Sequence, residues 1–359
     1  MNITIHELDA SLEERYSQFL LGHESTLLYH SLRYRDLLRS FIPSSVEHYL
    51  VAMEGDRIVG VMPTFVMPGT SGSLVNSLPF YGSHGGLVLD DAHAEVARGL
   101  LLRAFQQLCE DHDAITGTVV LNPLDESASA IREEFVHHFE DVRTGQLTPL
   151  GSCINAEDPE AAVMNLLHGK TRNALRKGLK CEFEARKDHQ EDAMASLHEL
   201  HQANMESIGG QAKPLAFFEL VESTFQYGQD YEVYRAERNG KVAAAMLVFY
   251  FNQTVEYFTP AIREEDRSDQ PLSVLILQAM IDAAERRMQW WNWGGTWASQ
   301  EGVHRFKSRW GAVDREYHYL IHSRVSRDEL AAMHEAGTFA EYPYFYAFPY
   351  SILTESGDG

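Results

Sequence analysis

All five tryptophans of the chain lie between Trp290 and Trp310, in the segment WWNWGGTWASQEGVHRFKSRW. Aromatic rings offer flat faces for stacking on sugars or bases, and paired glycines let the backbone approach a ligand closely. The same segment contains amides and cations, so it predicts a binding site; the alternative is a strand-to-helix corner that packs tryptophans into the core. The candidate substrate-binding residues of this segment are Asn292, Trp293, Gly294, Gly295, Trp297, Arg305 and Arg309.

The charge distribution indicates a second group of candidate residues. The formal net charge is −22, which disfavours a protein whose partner is nucleic acid or anionic lipid. Residues 1–169 contain no lysine, whereas residues 168–187 include seven basic and two acidic side chains. This local excess of positive charge predicts an anion site with Arg172 and Arg176 on one helix face; the alternative is a solvated basic face.

The elements that must position these residues follow from turn signals and hydrophobic periodicity. Asp158-Pro159 is an N-cap followed by proline at the first helical position, so a helix starts there, and a second helix then carries the basic residues. Asn239-Gly240 predicts a type I′ hairpin turn. Residues 271–288 form a long amphipathic pattern that predicts a helix directly before the tryptophan-rich segment.

The first half of the chain shows a similar plan. Residues 49–67 predict a hairpin, and residues 92–109 predict an amphipathic helix. Residues 52–63 align without gaps onto residues 236–247, an offset that fits two copies of one domain. We therefore expect an α/β fold with mixed sheets and flanking helices, arranged as two tandem domains. The expected limits of the domains are residues 1–150 and 151–359.

The cysteines and the apolar segments bear on the compartment. Cys109, Cys153 and Cys181 are far apart and odd in number, so they predict neither a disulfide framework nor a metal knuckle. No apolar run reaches the roughly 18–20 residues of a membrane span, and the N-terminal residues lack the pattern of a signal peptide. We expect a cytoplasmic protein, with a homodimer as one option. No GxSxG, HExxH, P-loop or GxGxxG motif occurs. His137-His138 lacks nearby cysteine or carboxylate ligands at metal spacing, so we expect no metal site.

Three motifs together resemble one known family. NWGGTWASQEGVHRFKSRWGA is similar to the glycine-rich strand and Phe-Lys…Trp-Gly signature of FemAB-like proteins of the GNAT acyltransferase superfamily. KTRNALRKGLKCEF resembles that family's Arg-x-x-(I/L)-(R/K)-K helix pair, and SLPFYGSHGGLVLDD resembles a loop of its N-terminal domain, which contains Tyr81 and His84. The resemblance covers roughly residues 45–322. It implies two GNAT-like domains that face a shared cleft, with acyl transfer in that cleft and Tyr81 among the binding residues.

Two departures from the family pattern narrow the expectation. The long helical-arm insertion of members that use aminoacyl-tRNA is not visible, and the net charge also disfavours tRNA binding. The glycine loop with which simple GNAT enzymes hold the CoA pyrophosphate is replaced by Arg263–Ser273, which contains no glycine. CoA is then held differently, with a helix N-terminus as one source of free N–H groups. The sequence of the C-terminal signature is most similar to that of relatives associated with cell-surface polysaccharide.

The chemistry of acyl transfer assigns roles to further residues. The attacking amine must be neutral, the oxyanion must be stabilised and the two substrates must be in line. By resemblance to the lysine of the family's Phe-Lys motif, Lys307 is the candidate for stabilising the oxyanion or for holding a phosphate. The candidate bases are His84, Asp269, Glu256 and His304, although Asp269 also fits a helix cap. A dedicated base is not required, because water or the substrate can take the proton.

Three functions are compatible with these observations. The favoured one is an N-acyltransferase that uses acyl-CoA and a small amine, with a nucleotide-linked amino sugar as the acceptor. The first alternative is an aminoacyl-tRNA-dependent transferase, which retention on a tRNA column would support. The second alternative is a non-catalytic ligand-binding module, which loss of Lys307 or of the paired glycines would have supported. Both features are present.

Overall fold

The structure is a computed structural model that describes residues 2–78, 84–296 and 300–353. Its helices are α1 (Glu13–Leu21), α2 (Leu32–Phe41), α3 (Ala94–Asp111), α4 (Ala128–Glu134), α5 (Pro159–Leu166), α6 (Gly169–Gly178), α7 (Ala193–Ser207), α8 (Leu215–Thr224), α9 (Pro271–Glu285), α10 (Glu301–Ser308) and α11 (Arg327–Glu335). Its strands are β1 (Ile3–Glu7), β2 (Val46–Glu47), β3 (Leu50–Glu54), β4 (Arg57–Met62), β5 (Phe65–Gly69), β6 (Gly72–Asn76), β7 (Val88–Leu89), β8 (Ala114–Val120), β9 (Phe139–Pro149), β10 (Glu184–Lys187), β11 (Tyr231–Arg238), β12 (Lys241–Phe251), β13 (Thr254–Ile262), β14 (Trp290–Thr296) and β15 (Val313–Ser323).

The chain divides into two compact units. The first unit comprises Met1–Arg143 together with Glu316–Gly359, and the second comprises Thr144–Arg315. The first division lies close to the expected one at residue 150. The segment after Arg315 belongs to the first unit, whereas we expected the second half to be continuous. The physical reason is strand pairing, because β15 pairs antiparallel with β8 of the first unit.

The first unit contains two sheets. One is a small antiparallel sheet in the order β1-β3-β4-β7, and the other places β15, β8, β6, β5 and β2 side by side. In the second sheet β6 and β8 run parallel, and the crossover between them contains α3, as parallel strands require. The buried face of α3 packs Leu101, Phe105 and Leu108 into the core of this unit.

The second unit is built around one sheet. Strands β10, β11, β12 and β13 form an antiparallel meander, β13 pairs parallel with β14, and β14 pairs antiparallel with β9. The predicted hairpin turn is confirmed, since Asn239 and Gly240 have φ of 54° and 72°, as a type I′ turn requires. Helix α9 is the crossover from β13 to β14 and packs against β11, β12 and β13.

The predicted fold class is therefore confirmed as mixed α/β with flanking helices. Each unit places a hairpin, a strand, a crossover helix and a parallel strand in the same order. Helix α9 is apolar and buried around most of its surface, and it begins with proline at its first position. Among the helices of the described chain, none combines the length and the apolar character that crossing a membrane demands.

Candidate functional site

A gap between β13 and β14 holds the candidate site. The two strands pair only from Thr254–Glu256 to Trp290–Asn292, and beyond this β14 pairs with β9 as far as Thr296. Where β13 and β14 separate, the Asn292 side chain donates a hydrogen bond of 2.9 Å to the buried Glu256 carboxylate. The candidate base Glu256 is thus held at the closed end of the gap.

The corresponding strands of the first unit stay joined. Strands β6 and β8 pair as far as Asn76 and Thr118. The Ser77 N–H then donates to the Thr118 carbonyl over 2.9 Å, and the Ser77 hydroxyl oxygen accepts from the Val120 N–H over 2.9 Å. Among the described residues of these two parallel pairs, pairing thus ends earlier along the second strand in the second unit, at Asn292 of β14.

A cavity of about 570 Å³ occupies the gap in the second unit. This volume lies in the range of about 300–1,000 Å³ that small-molecule sites use. Its walls come from β13, β14, α10 and the start of α9, and most of the side chains are apolar. The lining residues are Tyr257, Phe258, Pro260, Ile262, Arg267, Gln270, Leu272, Ser273, Trp293, Val303, Phe306 and Lys307.

Lys307 brings a buried ammonium group to this cavity. The residue is 6 % exposed, and α10 directs its side chain to the end of β14. There Nζ donates hydrogen bonds to the Thr296 hydroxyl over 2.8 Å and to the Gly295 carbonyl over 3.1 Å, and it lies 3.4 Å from the Gly294 carbonyl. Burial lowers the pKa of Lys307 to about 8. A cation in a dry, apolar cavity can stabilise negative charge that develops on a ligand.

The lowered pKa predicts a pH-dependent stability difference. Between pH of about 8 and the ordinary lysine value of 10.5, the unfolded chain holds a proton that the folded Lys307 has lost. Stability conferred by the wild-type residue therefore rises with pH across this window. Relative to Lys307→Met, we expect wild type to gain about 2 kcal/mol between pH 7.5 and 10. Urea unfolding of both proteins measures this gain, and parallel pH curves would contradict it.

A smaller pocket of about 170 Å³ adjoins the cavity and shares Gln270, Ser273 and Phe306 with it. Its cations are Lys170 from α6, Arg305 from α10 and Arg309 directly after α10, and no acidic side chain is among its described lining residues. The remaining lining residues are Thr171, Ala174, Gly302, Arg305, Arg309 and Trp310. Three cations with hydroxyl and amide groups form an environment that suits phosphate. Arg305 and Arg309 were predicted from the sequence, and Lys170 was not singled out.

The tryptophan-rich segment contributes mainly to the core. Trp291 and Trp310 are fully buried, and Trp293 is 3 % exposed. The Trp293 indole N–H donates to the Thr148 hydroxyl over 2.9 Å, while its ring lines the cavity. Trp297 lies outside the described residues. Within the described part of the segment, Trp293 and Trp310 reach cavities, and Trp291 packs against the core alone.

The paired glycines Gly294 and Gly295 form a backbone turn at the mouth of the gap. Gly294 has φ of 72°, the left-handed conformation that glycine adopts without strain. Its N–H donates to the Asn292 side-chain oxygen over 2.9 Å. This turn presents the carbonyl of Gly295 to Lys307. Asn292, Gly294 and Gly295 therefore lie together around the ammonium group, although ligand contact by them stays a prediction.

Arg172 and Arg176 lie on α6 but are not among the described lining residues of either cavity. Arg172 donates to the Leu167 carbonyl over 2.7 Å, at the end of α5. Arg176 lies 3.3 Å from the Asn173 side-chain oxygen. The structure thus gives Arg172 a helix-end contact, and anion binding by these two arginines stays a prediction.

Asp269 lies just before α9 and is held by two cations. Its carboxylate accepts from Arg238 over 2.8 Å and from Lys177 over 3.3 Å. These hydrogen bonds lower the pKa of Asp269, so the carboxylate is ionised at neutral pH and a weak base. The contacts favour a structural role, in which Asp269 joins β11 and α6 to the start of α9.

His84 lies in the first unit and is 1 % exposed. Its ring is edge-on to Tyr317 and Tyr29, with centroid distances of 4.6 and 5.9 Å. Such aromatic packing fixes the ring in one orientation. Proton transfer by His84 stays a prediction. Tyr81, in the same predicted loop, lies outside the described residues.

Sequence reasoning missed a polar chain that runs from Lys307 to the surface. The Thr296 hydroxyl, which accepts a hydrogen bond from Lys307, donates one of 3.0 Å to the side-chain amide oxygen (Oε1) of the buried Gln146. The Gln146 amide nitrogen lies 3.2 Å from an Asp314 oxygen. The other Asp314 oxygen lies 2.8 Å from His304 Nε2. No sequence signal joins these residues, because the pairing of β14 with β9 creates the contact.

The described residues contain no group of three or more His, Cys, Asp or Glu side chains arranged to hold a metal ion. The described polar groups near the cavity are the buried Lys307 ammonium group, the His304–Asp314 pair, the Thr296 hydroxyl and backbone carbonyls.

Comparison with known proteins identifies the class of this fold. Residues 165–308 match the family model described as acetyltransferase (GNAT) domain. This segment contains the cavity, α6, α9 and Lys307. Among curated proteins, none matches the sequence significantly.

Solved structures with similar folds cover nearly the whole chain. FemX superposes with a TM-score of 0.71 at 13 % identity, covering 93 % of this chain and 99 % of FemX. A tandem GNAT protein from the clavulanic acid biosynthesis pathway has a TM-score of 0.55 at 13 % identity, covering 91 % and 100 %. L-PGS from Bacillus licheniformis has a TM-score of 0.54 at 10 % identity, covering 93 % and 98 %. The predicted resemblance to tandem GNAT proteins is confirmed.

Proposed function

We propose that this protein is an N-acyltransferase that moves an acyl group from acyl-CoA to the amine of a small acceptor. The favoured acceptor is a nucleotide-linked amino sugar used for cell-surface polysaccharide. The observation that carries the proposal is the position of Lys307, whose ammonium group lines an apolar cavity in the open gap between β13 and β14. The GNAT family match over the same residues supports acyl transfer.

The two adjoining pockets suit different parts of the acyl-CoA donor. Acyl-CoA has an apolar acyl end joined through a long arm to phosphates. The cavity of about 570 Å³ offers apolar and aromatic walls for the acyl end and the arm. The cationic pocket offers Lys170, Arg305 and Arg309 for phosphate, beside the first residues of α9. These cations replace the missing glycine loop, because side chains there supply charge that a glycine loop supplies through backbone N–H groups.

Lys307 supplies the electrostatic part of the reaction. When an amine attacks the thioester carbon, negative charge develops on the carbonyl oxygen. The ammonium group next to Gly294 and Gly295 is pre-positioned and buried, so it needs little reorganisation to meet that charge. Its lowered pKa keeps it mostly protonated at neutral pH and sets an alkaline limit near pH 8 for this role.

Measurement of CoA release tests the function. Purified protein is mixed with acyl-CoAs of increasing chain length and with UDP-linked amino sugars, and a thiol reagent reports free CoA. Amine-dependent CoA release with an amide product supports the proposal. Release that is absent with every acyl-CoA contradicts the proposal. Product formation with aminoacyl-tRNA would then favour the alternative donor.

The cationic pocket gives a further prediction for the donor. We expect Lys170→Gln with Arg309→Gln to raise KM for acyl-CoA about 10- to 100-fold with little change in kcat, because charge-assisted contacts to phosphate are lost. KM for an acyl-N-acetylcysteamine thioester, which has no phosphate, should not change. Lys241→Gln, at the exposed β11–β12 turn, is the matched control. Equal effects on both donors would contradict phosphate binding in this pocket.

A further inference from the structure

We propose that His304, oriented by Asp314, takes the proton from the acceptor amine. This inference rests on the acyl-transfer function proposed above and adds a base to it. His304 is 40 % and Asp314 is 50 % exposed at the side chain, and His304 Nε2 lies 2.8 Å from Asp314 Oδ2. An imidazole held by a carboxylate and open to solvent on its other nitrogen is suited to receive a proton.

The hydrogen bonds fix which imidazole nitrogen can act as the base. A carboxylate only accepts hydrogen bonds, so the contact to Asp314 places the proton of the neutral ring on Nε2. Nδ1 then carries the lone pair. The other Asp314 oxygen is 3.2 Å from the Gln146 amide nitrogen, and Gln146 is fully buried. Asp314 is thus positioned from both sides and holds the ring in one tautomer.

The dyad is close to the ammonium group that stabilises the oxyanion. His304 and Lys307 are three residues apart on α10, and such helix neighbours have Cβ atoms about 5–6 Å apart. The hydrogen bonds through Gln146 and Thr296 join the two groups on the strand side of the helix. Lys307 lines the cavity assigned to the donor, while the His304 side chain is 40 % exposed and so accessible to an acceptor amine from solvent.

Among the described residues, the charged group that touches the His304 ring is Asp314. On the same helix, Arg305 lies 4.0 Å from Glu301 and lines the cationic pocket. Lys307 contacts β14. From β9 the neighbouring group is the neutral amide of Gln146, which lies 3.2 Å from the His304 carbonyl.

The step balances with the substrates of the proposed reaction. The amine nitrogen attacks the thioester carbon, forming a C–N bond, and one N–H proton passes to His304 Nδ1. The C–S bond breaks, and the CoA thiolate leaves with the bonding electron pair. The imidazolium then returns its proton to the thiolate or to water, which restores the neutral ring. No oxidant, reductant or metal takes part.

Kinetics of a His304→Ala variant tests the base. With acyl-CoA and an amino-sugar acceptor, we expect kcat/KM to fall about 100-fold and the acid limb of the pH profile between about pH 5 and 8 to disappear. Added imidazole should restore part of the rate. For Asp314→Asn we expect kcat/KM to fall about 10-fold or more and added imidazole to restore less of the rate. His189→Ala, an exposed histidine of the same unit, is the control. An unchanged acid limb in His304→Ala would overturn the inference.

A second measurement is independent of any substrate. Long-range ¹H–¹⁵N correlation spectra of the wild-type protein should assign the neutral His304 ring to the Nε2–H tautomer, and Asp314→Asn should alter that assignment. An Nδ1–H tautomer in wild type would overturn the inference even if acyl transfer is established. Conversely, an Nε2–H tautomer in a protein that releases no CoA would support the dyad geometry while the proposed acyl-transfer function fails.

Discussion

Replacing Lys307 with methionine should lower kcat about 10²–10³-fold and leave the fold intact. A preorganised cation at a developing oxyanion is typically worth about 3–4 kcal/mol in the transition state. Methionine keeps much of the apolar stem that packs in the cavity wall, so packing changes little. The loss of a buried charge that burial already disfavours also limits any cost to stability.

The kinetic constants separate two roles of this lysine. If the ammonium group stabilises the oxyanion, kcat falls and KM changes little; if it holds a donor phosphate, KM rises most. Steady-state kinetics with acyl-CoA measures both constants, and circular dichroism checks the fold. Lys241→Met, at an exposed turn, is the matched control. Wild-type values of kcat and KM in Lys307→Met would remove this residue from the mechanism.

Replacing Trp310 with alanine should cost the second unit about 3–5 kcal/mol of unfolding free energy. Trp310 is fully buried, with an exposed fraction of 0 %. Its ring centroid lies 6.0 Å from that of Trp293 and 6.3 Å from that of Phe306. Alanine would leave a cavity between these rings, and the lost aromatic contacts would add to the lost burial.

Chemical denaturation of Trp310→Ala checks this value. Trp290→Ala is the matched control, because Trp290 is only partly buried at the start of β14 and should cost less. A loss below about 1 kcal/mol would mean that the tryptophan-rich segment is not a structural core. The segment would then have to be explained by ligand stacking alone.

The comparison of these tryptophans shows what a sequence pattern can and cannot specify. The motif around Phe306 and Lys307 lies within the segment that matches the GNAT family model, and the site predicted there stays a prediction. Clustering of tryptophans does not distinguish stacking on a ligand from packing in a core, because both use flat apolar faces. In the structure Trp293 packs in the core and also lines the cavity, whereas Trp291 packs in the core alone.

Local periodicity predicted elements better than their faces. The hairpin at Asn239-Gly240 and the crossover helix α9 depend on neighbouring residues, so short-range signals suffice. In helix α3 the apolar side chain of Val96 is 48 % exposed. The buried face includes Ala97 and Phe105 instead. Which strands a helix covers decides its buried face, and that choice depends on residues distant in sequence.

The polar chain beside Lys307 was beyond prediction for the same reason. Gln146 lies on β9 and Thr296 on β14, and antiparallel pairing brings these strands together across about half of the chain. A lone glutamine before the predicted second domain carries no signal of its own. Its role follows from burial, since a buried amide must find partners for its oxygen and its nitrogen.

The position of strand β15, which follows the second unit in sequence but pairs in the first, affects the order in which the two units can fold during synthesis. Tyr319 and Ile321 pair with Val120 and Thr118 of β8, so the sheet of the first unit lacks a strand until β15 has been synthesised. The second unit has all its residues by Arg315. The first unit therefore cannot be completed until the residues of the second unit have been synthesised. Domains usually fold in the order of synthesis, whereas here all residues of the second unit are available before the first unit has its last strand.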